Sequence, residues 1–303
     1  MSDRAATISV SAGTRETPYL DSVTWDMHGH RKKVLFFLER LQRYAGAQAL
    51  RPRDIRVLEL GCGNGWNVAL PIAEQGFDVT GVDFHEPSIA SARTYNRLPN
   101  TRFVCGDVME FQRSESWDAA ILSDVLEHMH DPGRFLKLAV SHLRPDGIVL
   151  ISIPNGRGPY EIEQFLIRIG VLRPILAITR WTVELAVRLK RRLMHQPWPV
   201  APDPALPAYN DESGHVQFFT PGRFRRLLAA AGLRIETRAQ GCWFGGDLTY
   251  FLFYFLPALS QISLRIADAL PPSLVSTWYF ECRRVPMQGV PGRQKGQHAD
   301  APA

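Results

Sequence analysis

The chain has 303 residues, of which 45% are hydrophobic and 21% charged, so it falls in the ordinary globular range and can bury one large core with a subsidiary element. The formal net charge of +5 permits an anionic partner such as nucleic acid, an acidic lipid surface or a phosphorylated substrate, and requires none. The four cysteines are widely spaced, which excludes a C-x-x-C zinc pair and a dense disulfide scaffold and favours a reducing, cytoplasmic setting.

The two ends of the chain and its most apolar run carry no targeting or membrane-spanning pattern. The first 25 residues lack an apolar segment, so we expect no signal peptide. The run 250–259 has ten residues and contains Pro257, whereas a bilayer crossing needs about 20 apolar residues. Residues 1–30 are predicted to form a flexible lead-in and residues 286–303 a disordered tail.

The middle of the chain alternates between strand and helix patterns. Apolar residues spaced by three and four predict an amphipathic helix over 31–45 that covers one edge of the domain. The other predicted helices end at Gln75 or occupy 88–96, 132–143 and 221–231, the last capped by Thr220. The predicted strands are 56–60, 78–83, 102–105, 119–122, 148–153, 233–237 and 275–282. This alternation predicts a doubly wound α/β fold with a mostly parallel, seven-stranded sheet, whose ligands bind at the carboxyl ends of the strands.

A helical insertion, residues 156–212, is predicted to form a cap between a core at 31–155 and its C-terminal part at 213–285. The segment from Glu161 to His195 contains seven basic residues and three acids, a local charge of +4, with long apolar side chains between them. Such helices can lie on an anionic membrane, cover a lipid-like acceptor, or pack on the apolar segment 243–259 as a plain cap. The plain cap is favoured, peripheral contact with the inner membrane face stays open, and nucleic acid is disfavoured because no RNA-binding module is visible.

A glycine-rich loop follows the first strand. Gly61, Gly63 and Gly65 have the spacing G-x-G-x-G, with Glu59 two residues before them, whereas dinucleotide sites use G-x-G-x-x-G. An acid at this position suits a ligand with a positive amine or sulfonium rather than a pyrophosphate. Asp83 ends the second strand, where a carboxylate can accept both ribose hydroxyls.

A third acid, Asp107, follows the third predicted strand, where it can accept the adenine amino group. The glycine loop, the three acids and the segment Leu143-Arg144-Pro145-Asp146-Gly147 together resemble the class I methyltransferase family over residues 31–155 and 215–240. The resemblance implies a Rossmann-like fold and S-adenosylmethionine as methyl donor. It implies that the cofactor contacts Glu59, Gly61, Cys62, Gly63, Asp83, Phe84, Asp107, Val108 and Ser123.

Candidate catalytic residues follow the fourth strand. If the segment after Ser123 is helical, Asp124, Glu127 and His128 share one face and can hold a divalent cation, with His215 as a fourth ligand. The set resembles the E-x-x-E-H signature of small-RNA 2′-O-methyltransferases and quinone-biosynthesis O-methyltransferases, with Asp124 in place of the first Glu. The alternative, favoured here, is that these residues only form caps and supporting hydrogen bonds.

The acceptor pocket is predicted beside the loop after the fifth strand, where Arg157 and Tyr160 are candidates for lining it or for a simple loop exit. The leading functional hypothesis is methyl transfer to an oxygen of a small-molecule or lipid-like acceptor, with Glu127, His128 and His215 as catalytic candidates. A catalytically idle methyltransferase-like binding module is the alternative from another class. An NAD-dependent oxidoreductase is third, because the glycine spacing disfavours it.

Overall fold

A computed structural model describes residues 19–20, 29–111, 115–194, 214–246, 248–249 and 257–285. The predicted tail and nearly all of the predicted lead-in lie outside these residues, as do the Pro-rich part of the insertion and most of the run 250–259. The strands are β1 (Arg56–Leu60), β2 (Asp78–Asp83), β3 (Thr101–Cys105), β4 (Trp117–Ser123), β5 (Leu143–Pro154), β6 (Leu233–Gln240) and β7 (Thr277–Arg284). The helices are α1 (His30–Ala47), α2 (Ala69–Glu74), α3 (Glu86–Tyr95), α4 (Pro132–Ser141), α5 (Pro159–Arg168), α6 (Arg173–Met194), α7 (Pro221–Ala230) and α8 (Pro257–Ala269).

The seven strands form one sheet in the order β3-β2-β1-β4-β5-β7-β6. Only β7 runs antiparallel, between β5 and β6, so the predicted doubly wound, mostly parallel sheet is confirmed. The strand order reverses between β1 and β4, and the chain leaves these two strands toward opposite faces. A crevice therefore opens at their carboxyl ends, which is where ligands bind in such sheets.

Both faces of the sheet are covered by apolar layers. Val57 of β1 belongs to the core cluster on one face, and Leu58 belongs to the cluster on the other. This alternation is the two-residue period of a strand buried on both sides. At α7, Thr220 accepts a hydrogen bond from the backbone N–H of Arg223, as the sequence predicted for an N-cap.

Helix α1 packs differently from the prediction. Phe37 and Leu41 are fully buried in the same cluster as Ile121 of the central strand β4, so the helix covers a face of the sheet rather than only an edge. The predicted apolar stripe is otherwise confirmed, because Val34, Leu38, Leu41 and Tyr44 are buried and only Leu35, at 46% exposure, departs from it. Lys33 is buried as well, so the buried side of the helix carries a lysine toward the crevice.

The insertion contains α5 and α6. Glu163 on the inner side of α5 is buried and accepts a hydrogen bond from the backbone N–H of Leu248, which ties the helix to the segment that begins at residue 243. Several large apolar side chains of α5 and α6 are exposed, whereas a fully packed cap would bury them. Within the described ranges, no helix combines the length and the apolarity needed to cross a membrane.

Candidate active site

The loop between β1 and α2 brings the backbone close to the crevice. Gly61 has φ +80°, a conformation that side chains other than glycine rarely adopt, and a Cβ there would lie 2.7 Å from Cγ2 of Val125. The backbone N–H groups of Gly61 and Cys62 both donate to the carbonyl of Val82, which fixes the turn against β2. The loop therefore needs glycine for its backbone conformation and for its close approach to the segment after β4.

A cavity of about 440 Å³ opens at this loop. Every residue assigned to cofactor binding from the sequence lies along its wall, from β1 to the end of β4. These residues are Glu59, Gly61, Cys62, Gly63, Asp83, Phe84, Asp107, Val108 and Ser123. The carboxyl ends of β1, β2, β3 and β4 thus converge on one space, because parallel strands end at the same edge of the sheet.

Both carboxylate oxygens of Asp83 accept hydrogen bonds from the backbone. Its Oδ2 accepts the backbone N–H of Gly63 at 2.7 Å, and its Oδ1 accepts that of His85 at 2.9 Å. The glycine loop and the start of α3 therefore orient the carboxylate. Each oxygen keeps a further lone pair that can accept a hydrogen bond from a ligand hydroxyl.

Glu59 is almost fully buried, and its Oε2 has no hydrogen-bond partner among the described residues. Burial raises the pKa of this carboxyl well above its usual range, although the nearby charge of Lys33 opposes the shift. A buried acceptor without a partner is costly unless a ligand donates to it. A positively charged amine in the cavity would satisfy this oxygen and favour the ionised carboxylate.

Two residues of α1, His30 and Lys33, also line the cavity, and the sequence analysis missed both. Nζ of Lys33 lies 2.6 Å from Oδ2 of Asp124, and the lysine side chain is only 4% exposed. The sequence signal for a buried Lys33 was its position four residues before Phe37, which places both on one face of the helix. This signal was weak, because lysine side chains are rarely buried.

The predicted role of Asp124 beside Glu127 and His128 needs correction. The segment forms only a one-turn 3₁₀ helix, Leu126–His128, and Asp124 precedes it with φ +51°. Asp124 binds Lys33 and accepts a hydrogen bond from Oγ of Ser152 at 2.8 Å. Burial would raise its pKa, but Lys33 and these hydrogen bonds lower the pKa to about 2. Asp124 is thus an anionic partner of Lys33, and it stands apart from the metal-ligating geometry.

The other three predicted ligands come together. Glu127, His128 and His215 each offer one ligand atom, and these atoms lie within 4.8 Å of one another. The carbonyl of Glu127 accepts the backbone N–H groups of Val216 and Gln217, both at 2.9 Å. These bonds hold the segment before α7 against the 3₁₀ turn, so His215 returns to the site across a long stretch of sequence.

The hydrogen bonds of the two histidines fix which ring nitrogen is free. Nδ1 of His128 lies 3.3 Å from the carbonyl oxygen of Gly214, and Nδ1 of His215 lies 2.7 Å from Oε1 of Glu161. Both partners are acceptors, so each Nδ1 donates to its partner, and a neutral ring in this tautomer keeps its lone pair on Nε2. Glu161 on α5 is a positioning residue that the sequence analysis did not assign to the site.

The protonation of the cluster suits proton removal or cation binding. Burial, and after it the charge of His215, lowers the pKa of His128, so its ring is neutral at pH 7. Burial and the charge of Asp124 raise the pKa of Glu127 well above its usual range. Glu127 is 1% exposed, and its Oε2 has no hydrogen-bond partner among the described residues. The cluster thus presents the neutral ring of His128 beside a carboxyl group whose Oε2 lacks a donor.

A second cavity of about 470 Å³ borders this cluster at Glu161, the partner of His215. Glu161 is in its wall, together with Arg157, Phe165, Arg168 and Phe218. Tyr160, the other acceptor-pocket candidate, has its ring centroid 6.3 Å from that of His215. The predicted loop after β5 therefore borders both the histidine cluster and an amphipathic cavity.

Comparison with known proteins identifies the class. The model of a methyltransferase-domain family matches residues 27–238, and the chain belongs to this family. The ubiquinone biosynthesis O-methyltransferase of Rickettsia akari (strain Hartford) is 32% identical over 103 residues, 33% of this chain and 41% of the relative. The malonyl-[acyl-carrier protein] O-methyltransferase of Bacillus anthracis is 30% identical over 139 residues, 43% of this chain and 48% of the relative. The chain thus spans less than half the length of these curated relatives.

A solved structure extends the likeness to the fold. The plantazolicin methyltransferase BpumL, in complex with SAH and a substrate analogue, is 16% identical with a TM-score of 0.50, and the match covers 88% of each chain. At this identity the likeness shows the fold alone. Together with the family match, it confirms the resemblance found in the sequence: the chain is a member of the class I methyltransferase family.

Proposed function

We propose that this methyltransferase transfers the methyl group of S-adenosylmethionine to an oxygen of a small, lipid-like acceptor. One observation carries the proposal: the cluster of Glu127, His128 and His215 lies beside the cofactor cavity, with His128 in the cavity wall. A hydroxyl acceptor must lose its proton during transfer, and the neutral ring of His128 can receive it. The distant likeness to O-methyltransferases supports the same chemistry.

The cofactor is proposed to lie along the larger cavity with its ends fixed by charge. Glu59 receives the ammonium group of the methionine part, which supplies the donor that its Oε2 lacks. Lys33 faces the carboxylate of the same part, and Asp83 accepts the ribose hydroxyls. Asp107 and Val108 border the adenine end. The sulfonium then lies between the glycine loop and the 3₁₀ turn, on the side of His128.

Methyl transfer is a displacement at the sulfonium, so alignment of acceptor oxygen, methyl carbon and sulfur supplies much of the rate enhancement. In the proposed step, the acceptor oxygen attacks the methyl carbon, the carbon–sulfur bond breaks, and the electron pair stays on sulfur. Nε2 of His128 takes the hydroxyl proton, while Glu161 orients His215 next to it. Removing the proton makes the oxygen a stronger nucleophile.

A second role of the cluster is favoured by one specific observation, the orphaned Oε2 of Glu127 among two histidines. Two imidazoles and one carboxylate form a donor set that divalent cations accept. The residues fit such an ion, and when bound it would polarise the acceptor oxygen and lower its pKa. Glu161 would then orient His215 as a carboxylate commonly orients a metal-bound histidine.

The acceptor is assigned to lipid-like molecules because of the second cavity. Its wall combines Phe165 and Phe218 with Arg157 and Arg168, and it reaches the site through Glu161. An acceptor with an apolar body and an anionic or polar group matches this lining.

The test is transfer of tritiated methyl groups from S-adenosylmethionine to fractions of a cell extract, with lipid and aqueous fractions counted separately. We expect label in the lipid fraction, in a product whose mass spectrum shows a methyl ether or ester. His128→Ala should lose at least about 100-fold in rate. His130→Ala, an exposed histidine two residues away, is the matched control and should keep full activity.

Two measurements separate the alternatives. Calorimetry with S-adenosylhomocysteine and with NAD tests the cofactor, and tight binding of NAD alone would overturn the proposal. Chelator treatment tests the cation: activity that survives chelation in the wild type assigns proton removal to His128 alone. A protein that binds the cofactor and labels no fraction is a binding module, which contradicts the proposed catalysis.

A further inference from the structure

Helices α5 and α6 and their connection expose eight large apolar side chains. Each of them is 43% to 63% exposed, although a monomeric protein rarely shows a continuous apolar surface of this kind. The residues are Ile162, Phe165, Ile169, Val171, Ile175, Ile178, Trp181 and Leu185. We call this set the apolar stripe. The stripe runs through both helices and their connection, and on α5 the spacing of Ile162, Phe165 and Ile169 by three and four residues places them on one side.

The helical periodicity separates the stripe from charged residues. On α6, Ile175, Ile178 and Leu185 are spaced by three and seven residues, so they share one side of the helix. Arg180, two positions after Ile178, lies on the opposite side. The helix is therefore amphipathic, with an exposed apolar side instead of a buried one.

The charge of the region is strongly positive toward the outside. Seven basic residues and three acids occur between residues 161 and 195. Two of the acids turn inward, because Glu161 binds His215 and Glu163 is buried against the segment near Leu248. The described basic residues of the two helices, Arg168, Arg173 and Arg180, are all exposed. The surface around the apolar stripe is thus basic, and it is complementary to an anionic layer.

We propose that the α5–α6 pair lies on the surface of a lipid bilayer that contains anionic lipids. The apolar stripe enters the interface between headgroups and acyl chains, and the basic residues contact the headgroups. Helix α6 has 22 residues, but it does not meet the requirements of a membrane span. The pair therefore lies along the membrane plane.

In this orientation the second cavity lies next to the bilayer. Ile162 and Phe165 belong to both the apolar stripe and the cavity wall, and Arg168 lies in the same wall. A bilayer against the stripe would meet the cavity mouth, so an amphipathic acceptor could enter from the lipid. This last step alone rests on the proposed function.

The experiment is flotation of the full chain with vesicles of phosphatidylcholine, with and without added phosphatidylglycerol. We expect flotation only with phosphatidylglycerol at low salt, and release at 1 M salt, where the screening length falls to about 3 Å. Ile178→Asp with Trp181→Asp should lower the partition coefficient at least about tenfold, because two apolar side chains no longer enter the interface. Val285→Asp changes an apolar residue that is 50% exposed just after β7, where its N–H bonds to Gly232 at the opposite edge of the sheet, and should float like the wild type.

The result that overturns the proposal is absence of flotation with anionic vesicles while the protein still binds S-adenosylhomocysteine. Flotation of the double variant equal to that of the wild type would also overturn it. So would a dimer of the wild type without lipid that is monomeric in the double variant, because a second copy of the chain would then cover the stripe. Methyl transfer is measured on the same samples without vesicles. Loss of flotation with intact transfer rejects the membrane surface only, and flotation without transfer rejects the proposed function only.

Discussion

Lys33 and Asp124 are 91 positions apart in the chain, and their side chains meet at 2.6 Å in the wall of the cofactor cavity. The pair joins α1 to the end of β4, the strand that leads into the catalytic cluster. We expect Lys33→Met to weaken S-adenosylhomocysteine binding about tenfold or more, because the carboxylate of the ligand loses its cation. Binding of 5′-methylthioadenosine, which lacks that carboxylate, should stay within about twofold in calorimetry.

Removal of Lys33 alone also strands the Asp124 carboxylate, at a cost of about 3–5 kcal/mol in a buried pair and less in this partly exposed one. The double variant Lys33→Met with Asp124→Asn should therefore regain stability in urea titrations. It should not regain affinity for S-adenosylhomocysteine. Recovery of both properties would show that Lys33 acts only as a structural partner.

Asp83→Ala should reduce S-adenosylhomocysteine affinity by about 100-fold, since the ligand loses charge-assisted hydrogen bonds and the loop loses the acceptor of the Gly63 N–H. Asp78→Ala is the matched control. It removes an acid from the opposite end of the same strand, where Asp78 pairs with Arg102. Calorimetry that finds equal losses in both variants would contradict a direct contact between Asp83 and the cofactor.

Glu127→Gln should lower methyl transfer by about 100-fold or more, yet stabilise the fold increasingly as pH rises. The pKa of Glu127 is raised in the folded protein, so the unfolded chain releases the proton at a lower pH. The wild type consequently loses stability as pH increases from the unfolded pKa through the folded pKa. Urea denaturation at pH 5 and pH 8 should show a larger gain for the variant at pH 8. An equal gain at both values would indicate that Glu127 is ionised throughout.

Glu161 is predicted to act through His215. Glu161→Ala and His215→Ala should each slow methyl transfer about tenfold or more, and the double variant should be hardly slower than His215→Ala alone. The pH–rate profile of Glu161→Ala should also move, because the ring loses its fixed tautomer. Additive losses with an unchanged profile would reduce Glu161 to a structural contact.

Gly61→Ala should destabilise the protein by about 2 kcal/mol, because alanine must adopt a positive φ and its Cβ meets Val125. Gly106→Ala is the control in a neighbouring loop, since nothing lies within 4 Å of the Cβ position there. Urea titrations compare the two. A neutral Gly61→Ala would mean that the turn relaxes without cost.

The strand and helix pattern was largely predictable, because alternating β and α periods leave few arrangements for a parallel sheet. Element ends were less certain. The predicted strand 275–282 begins at Thr277. Ser276 lies in the preceding loop, where its backbone N–H donates to the carbonyl of Cys242 and its carbonyl accepts the N–H of Asn155. The helix before Gln75 is short, because the glycine loop and its turns extend to Val68.

By itself, the sequence determined the fold class and indicated residues that line one cavity in the crevice. Glycine spacing and acids at strand ends are local patterns, and parallel strands necessarily bring their carboxyl ends together. Only the tertiary structure decided the partners across the crevice. It directed Asp124 to Lys33 and brought Glu161 to His215, because these contacts depend on how α1 and the insertion return to the sheet. Such long-range contacts produce no periodic pattern in the sequence.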